Sequence, residues 1–157
     1  MTATSRASSG SAERGIWLIT DDIYKDLIYE GSFTNSRAFG GYANTLTCCS
    51  FSKSASIPGF RIGYAYGSAE LINKMNELKQ YVTLCPSRPA QVCLDKFLEN
   101  GAAMKRQYIR KTVMPVYSAR RKKMAECLAE CMPEANFGMP KGALYFFPEI
   151  RDRKSVV

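Results

Sequence analysis

Four side chains between Ser50 and Arg61 carry the chemical groups that a ligand with an aldehyde and a phosphate needs. Lys53 offers a primary amine, the group that forms a Schiff base with an aldehyde. Ser50 and Ser52 offer hydroxyl donors, and Arg61 offers a guanidinium that binds a phosphate bidentately. Ser50 stands three residues before Lys53, and Arg61 stands eight residues after it. We therefore predict that Lys53 is a catalytic residue, and that Ser50, Arg61 and, more weakly, Ser52 bind a phosphate.

A second pair of polar side chains follows an apolar run upstream of this segment. The run 16–19 leads to Asp21, and Tyr24 follows three residues later. Taken alone, an Asp at the end of a strand is often a turn or cap residue, and a lysine after a serine is usually a solvated surface residue. The order and spacing of Asp21, Tyr24, Lys53 and the later run 140–148 leave little room for such a coincidence.

Together these residues resemble the class I/II aminotransferases, which are pyridoxal 5′-phosphate (PLP) enzymes of fold type I. The resemblance, closest to the aspartate-aminotransferase type, implies an α/β fold. The chain would hold part of the large domain, a mostly parallel sheet flanked by helices, and the start of the small α+β domain. On this match Lys53 holds PLP as a Schiff base, Asp21 pairs with the protonated pyridine nitrogen, and Tyr24 bonds the ring oxygen. Asp22 would be structural.

The reaction that the resemblance implies is transamination between an α-amino acid and a 2-oxo acid, two small-molecule substrates. Lys53 would move a proton between the substrate α-carbon and the cofactor. C–S lyases, decarboxylases and aminocyclopropane-carboxylate synthases share the same motif and stay open as alternatives. Tyr24 favours transamination, because many C–S lyases of this fold carry His at that position. Family members are typically homodimers, so we expect a homodimer of the complete fold.

The resemblance covers the middle of the family pattern. We expect a disordered leader over 1–14, a partial PLP-binding large domain over 15–102, an interdomain helix with a partial small domain over 103–150, and a truncated tail over 151–157. The family's glycine-containing phosphate turn and its arginine for the substrate carboxylate fall outside this pattern. An incomplete subunit, or a truncated and catalytically inactive remnant, is therefore an alternative to an active enzyme.

Charge and composition bear on partners and compartment. The 157 residues carry a net charge of +8, which raises nucleic acid as a partner. The basic residues concentrate over 105–123, where a helical pattern favours a solvated helix face instead, so we expect no nucleic-acid partner. No run approaches a membrane span, and six Cys without any His exclude a Cys/His zinc site, so we expect neither membrane nor metal binding. Without a secretory signal we expect reduced thiols and a cytoplasmic location, with a mitochondrial one as the alternative.

Periodicity and turn residues predict the elements that must position these side chains. Ser68 is the predicted cap of one helix, and Pro89 begins the next helix, which Gly101 would end. Pro115 predicts a kink or break in the long basic helix that follows, and Pro133 would end that helix. Four runs are predicted to be strands: 15–24, 45–51, 60–67 and 143–147. The resemblance implies that the third strand is antiparallel to the others and that the loop before it holds the lysine.

Overall fold

The computed structural model describes residues 10–11, 13–39 and 43–150. The predicted leader falls largely outside these residues, and the predicted tail falls outside them entirely. Within them, a sheet has the strand order β1 (Leu18–Asp21), β2 (Thr45–Ser50) and β3 (Gly63–Tyr66). β1 runs parallel to β2, and β3 runs antiparallel to β2, as predicted. β1 is shorter than its predicted run because its ladder with β2 begins only at Leu18.

β2 is the central strand and the most buried part of the sheet. Thr45, Leu46 and Thr47 are buried, and Thr20 Oγ1 donates a hydrogen bond of 3.1 Å to Thr47 Oγ1. A strand that is covered on both faces carries a continuous run of β-branched and apolar residues rather than an alternating one. β1, an edge strand of the described sheet, instead leaves Ile19 69% exposed. The central strand is therefore the firm support for the segment that follows it.

The helices that bear on the site are α1 (Phe51–Ser54), α2 (Ala69–Val82), α3 (Arg88–Tyr108) and α4 (Met114–Cys131). Two 3₁₀ turns, Ser36–Phe39 and Pro58–Phe60, complete the loops. The predicted cap of α2 is confirmed, because the Ser68 hydroxyl accepts a hydrogen bond of 3.4 Å from the Leu71 N–H. None of the helices described is both long enough and apolar enough to cross a lipid bilayer.

One predicted helix boundary is wrong, and another takes an unexpected form. Gly101 does not end its helix, since α3 continues to Tyr108. A β-carbon at Gly101 would meet the Phe97 ring at 2.9 Å, so this glycine serves close packing inside the helix. At Pro115 the chain stays helical, because a π-helical turn over Ile109–Val113 joins α3 to α4. Proline has no N–H to donate, and a wider turn just before it accommodates the missing hydrogen bond.

The predicted fourth strand, over 143–147, is also wrong. This part of the chain forms only two isolated bridges, Ile28 with Gly142 and Asn136 with Glu149. A strand needs a neighbour with which to exchange a ladder of hydrogen bonds. No strand among the described residues runs beside this segment, so it forms no ladder and remains irregular.

A small apolar core packs α3 against the loop between β2 and β3. Ile62, Ala90 and Leu94 are buried together, and Phe51 and Phe97 pack against them. Ile62 comes from the loop, immediately before β3, while Ala90 and Leu94 come from one face of α3. α3 therefore packs against the loop that carries the predicted lysine and supports it.

Candidate active site

The carboxyl ends of β1 and β2 meet at one edge of the sheet and bring the predicted residues together. Because these strands run parallel, Asp21 at the end of β1 and Ser50 at the end of β2 lie at the same edge. α1 follows directly and carries Lys53. β3 begins at this edge as well, since Ser50 pairs with Gly63, two residues after Arg61. Ligands of α/β proteins commonly bind at such a strand edge.

Ser50 organises the turn that presents Lys53. Its Oγ accepts a hydrogen bond of 3.0 Å from the Ser52 N–H, which makes Ser50 the N-cap of α1. The hydroxyls of Ser50 and Ser52 lie 2.9 Å apart, and Ser54 Oγ donates to the Ser50 carbonyl over 3.1 Å. Ser52 and Ser54 are buried on either side of Lys53. The hydroxyls of Ser50 and Ser52 thus lie side by side in the turn that carries Lys53.

The Lys53 amine differs from the nearby Lys25 amine in its contacts. Lys53 is half-buried, and its Nζ has no hydrogen bond to any side chain that the structure describes. Lys25 Nζ donates to the Tyr64 hydroxyl over 2.8 Å and lies 5.4 Å from the centre of the Tyr64 ring. The hydrogen bond to Tyr64 raises the pKa of Lys25. Of these two lysines, Lys53 is the one whose amine is available to a ligand.

Arg61 lies beside the serines, in an uncommon backbone conformation. Its φ of 52° lies in the left-handed region, and its Nη1 donates to the Pro58 carbonyl over 3.1 Å. Its neighbour Ile62 accepts hydrogen bonds from the Phe51 N–H at 3.2 Å and from Ser50 Oγ at 3.3 Å. A non-glycine residue with positive φ costs about 1–3 kcal/mol, and such residues cluster at functional sites. Arg61 is exposed, and the backbone of its neighbour Ile62 contacts the serine turn.

The two adjacent aspartates have different environments. Asp21 is exposed, and its Oδ1 accepts a hydrogen bond of 3.2 Å from the Ile23 N–H, which forms a local turn. Asp22 is buried and accepts a hydrogen bond from the Asn35 side-chain amide. The Asp22 N–H also donates to the Cys48 carbonyl over 2.8 Å. Asp22 therefore fixes the chain after β1, and Asp21 faces the solvent at the sheet edge.

Tyr24 contacts a residue whose role sequence reasoning missed. Its hydroxyl lies 2.5 Å from the hydroxyl of Tyr145, and the two rings meet at 89° with centres 5.5 Å apart. Burial first, and then the hydrogen bond with Tyr145, raise the pKa of Tyr24 to about 12. Tyr145 stands in the run 140–148 that supported the resemblance, but nothing in the sequence indicates this contact.

A cavity of about 480 Å³ lies away from the lysine, between α4 and the segment 140–148. Its walls are mostly aromatic and aliphatic, and include Tyr29, Tyr117 and Tyr145. None of the six predicted site residues lines it. No group of three or more potential metal ligands occurs in the described residues.

Comparison with known proteins identifies the family. The family model for aminotransferase class I and II matches residues 9–156. The chain therefore belongs to the class I and II aminotransferase family. An aspartate aminotransferase of Pyrococcus abyssi is 30% identical over 146 residues, which are 90% of this chain and 36% of that protein.

Solved structures confirm the predicted fold class. An aspartate aminotransferase double mutant of Thermus thermophilus superposes with a TM-score of 0.80 at 26% identity, covering 92% of this chain and 37% of that one. An α-aminoadipate aminotransferase of the same species, complexed with N-(5′-phosphopyridoxyl)-L-leucine, gives 0.81 at 25% identity, covering 98% of this chain and 40% of that one. The chain thus spans about a third of the length of the relative it matches in sequence. The predicted domain boundaries within it stay a prediction.

Proposed function

We propose that this chain is the portion of a PLP-dependent aminotransferase that binds the cofactor. The complete protein would transfer an amino group between an α-amino acid and a 2-oxo acid and act as a homodimer. The observation that carries the proposal is the meeting of Asp21, Ser50, Lys53 and Arg61 at one sheet edge, in a chain of this family.

The donor set at this edge fits PLP. The paired hydroxyls of Ser50 and Ser52 and the guanidinium of Arg61 match the oxygens of a phosphate, which accepts several hydrogen bonds and carries negative charge. Arg61 would turn from the Pro58 carbonyl to the phosphate, and this exchange replaces a neutral acceptor by an ionic one. Lys53 extends from the same turn, so its amine and the phosphate ligands act on a single small molecule.

PLP, when bound, supplies an electron sink next to the α-carbon of the substrate. Lys53 Nζ would hold the cofactor through its aldehyde carbon and, once released by the substrate amine, carry a proton to and from the α-carbon. The Asp21 carboxylate would keep the ring nitrogen protonated, and the Tyr24 hydroxyl would donate to the ring oxygen. Asp21 is the last residue of β1, Tyr24 follows it by three residues, and Lys53 lies on α1 directly after β2.

The experiment that tests this proposal is chemical mapping of the lysine. The chain is mixed with PLP, reduced with borohydride, digested and analysed by mass spectrometry. We expect the phosphopyridoxyl group on Lys53 at a PLP concentration that leaves the exposed Lys74 unlabelled. Absorbance of the bound cofactor near the visible range should appear in parallel and vanish in Lys53→Ala.

Lys25→Ala is the matched control, because this amine lies on the chain after β1 and is already bound to Tyr64. Labelling of Lys53 should persist in that variant. Equal labelling of Lys53, Lys25 and Lys74 would mean that PLP reacts with surface amines in general, and the proposed function would then be rejected.

A further inference from the structure

We infer that Tyr145 is a positioning residue for Tyr24, acting from the segment after α4 on the PLP-binding edge of the sheet. This inference rests on the proposed function and deepens it. In it, once PLP is bound, the Tyr145 hydroxyl donates to the Tyr24 oxygen, and the Tyr24 hydroxyl is thereby directed to donate to the ring oxygen of PLP. Tyr145 touches neither the cofactor nor the substrate in this arrangement.

The backbone holds the two tyrosines in a fixed relation. Leu27, three residues after Tyr24, accepts a hydrogen bond of 2.8 Å from the Ala143 N–H, two residues before Tyr145. Gly142 also forms an isolated bridge with Ile28, so the two segments are paired within a few residues of both tyrosines. The side chains of Tyr24 and Tyr145 extend from these paired segments and contact each other through their hydroxyls.

Arg121 on α4 contacts both of these segments. Arg121 Nη1 donates to the Pro140 carbonyl at 2.7 Å and to Glu30 Oε1 at 3.1 Å, and its guanidinium lies 4.4 Å from the centre of the Tyr29 ring. The Tyr29 hydroxyl in turn donates to the Ala143 carbonyl over 2.9 Å. The hydrogen bonds to the Pro140 and Ala143 carbonyls thus hold the segment that carries Tyr145, and a docked phenol retains less rotational freedom than a free one.

The hydroxyls of Tyr145 and Tyr24 can form a chain of hydrogen bonds that runs in one direction. A phenol can donate one hydrogen bond and accept another. When Tyr145 donates to the Tyr24 oxygen, the Tyr24 proton must point elsewhere, and polarisation along the chain strengthens the next hydrogen bond. The perpendicular rings keep the hydroxyls in contact while each ring packs against the edge of the other.

The titratable groups that influence Tyr24 are Tyr145, Asp21 and Tyr117. The Tyr145 hydroxyl is the one in direct contact with that of Tyr24. Without PLP the Tyr24 hydroxyl donates to the Tyr145 oxygen, the direction in which this hydrogen bond raises the pKa of Tyr24. Removing the Tyr145 hydroxyl should therefore lower that pKa, while burial continues to hold it above the ordinary value. Tyr117→Phe is a matched control, since it deletes a phenol hydroxyl beside the same cavity without touching the pair.

The test is a double-mutant cycle on the affinity of the 157-residue chain for PLP. The dissociation constant is measured by absorbance for the parent chain, Tyr24→Phe, Tyr145→Phe and the double variant. We expect Tyr145→Phe to weaken PLP binding roughly three- to tenfold, the scale of one hydrogen bond. The same substitution should have no effect when Tyr24 is already Phe, and Tyr117→Phe should leave the affinity unchanged.

A second readout needs no cofactor. Spectrophotometric titration of the phenols, as the difference between each chain and its Tyr24→Phe counterpart, reports the Tyr24 proton alone. Its titration should move to lower pH in Tyr145→Phe and move by less in Tyr117→Phe, because Tyr117 is the smallest of the influences on the Tyr24 pKa.

The outcomes separate the inference from the proposed function. Equal losses of affinity in both Tyr24 backgrounds, or an unmoved Tyr24 titration, would overturn the role of Tyr145 and leave the cofactor site standing. Absence of PLP binding by the parent chain would instead reject the proposed function, and with it the role of Tyr145 toward PLP. In that case the titration would still show whether Tyr145 holds the Tyr24 proton.

Discussion

The loop between β2 and β3 and the segment 141–150 both follow a regular element, yet they are held in different ways. The loop is closed at both ends by strands of one sheet, since Ser50 pairs with Gly63. The later segment has isolated bridges and single hydrogen bonds to the stretch 27–29. The loop contains two non-glycine residues with positive φ, Ser56 at 57° and Arg61 at 52°, and the later segment contains one, Ala143 at 62°.

The difference shows where local sequence determines structure in this chain. In the loop, a cap, a serine cluster and a strand ladder act within a few residues of one another, so the local sequence specifies the geometry. In 141–150, the conformation depends on contacts with residues more than a hundred positions away, such as Tyr24. A single added atom in the loop should therefore cause a large loss of stability. A substitution in 141–150 should cost only the contacts that it removes or crowds.

The largest effect is expected from Gly63→Ala. A β-carbon there would lie 2.6 Å from the Cys49 carbonyl oxygen, a distance that neither rigid strand can relieve. We expect a loss of about 2–4 kcal/mol in the free energy of unfolding, measured by urea denaturation. Gly59→Ala, in the same loop but with no atom within 4 Å of the new carbon, is the control and should change stability by less than about 0.5 kcal/mol. Similar losses in the two variants would show that the ladder at Gly63 does not control the loop.

A smaller effect is expected from Gly142→Ala in the second region. The new β-carbon would lie 3.0 Å from Ile28 Cδ1 and 3.1 Å from the Leu27 carbonyl oxygen. The segment has no ladder and can move by a few tenths of an ångström, so we expect a loss of about 1 kcal/mol. Urea denaturation gives this value too. A loss as large as that of Gly63→Ala would contradict the contrast between the two regions.

The smallest effect concerns Tyr24, which contacts the second region through Tyr145, and its sign follows from its pKa. The pKa of Tyr24 is about 12 in the folded chain against 10 for a free phenol, so the unfolded chain loses this proton first as the pH rises. The contribution of Tyr24 to stability is complete below pH 10 and is lost between pH 10 and about 12. The stability difference between the parent chain and Tyr24→Phe, measured at about pH 9 and about pH 11, should shrink at the higher pH. A difference that grows with pH would mean that the folded chain favours the Tyr24 phenolate.

Much of the fold and of the sheet edge could be predicted from the sequence. β2 was predicted to within one residue, because its apolar, β-branched run is bounded by polar residues. Lys53, Ser50 and Arg61 lie within one short loop, so their spacing along the chain already limits their separation in space. Asp21 joins them because parallel strands end at the same edge.

The contacts that were missed lie far apart in sequence or depend on packing. Tyr145 meets Tyr24 across 121 positions, through docking of a segment whose strand character the sequence overstated. Gly101 looked like a helix end because glycine is common there, but the Phe97 ring occupies the space that a side chain would need. The bond between Lys25 and Tyr64 depends on the pairing of β2 with β3, which brings Tyr64 beside Cys49.

The π-helical turn before Pro115 also sets the helical phase of two basic residues. Lys105, before the turn, binds Asp26 at 2.8 Å, and Arg121, after it, binds Glu30 at 3.1 Å. In an uninterrupted α-helix, residues sixteen positions apart would point in directions about 160° apart. A π turn absorbs one extra residue and reduces that angle to about 60°. One widened turn therefore lets α3 and α4 each form an ion pair with the same short stretch, through Asp26 and Glu30, from the same side.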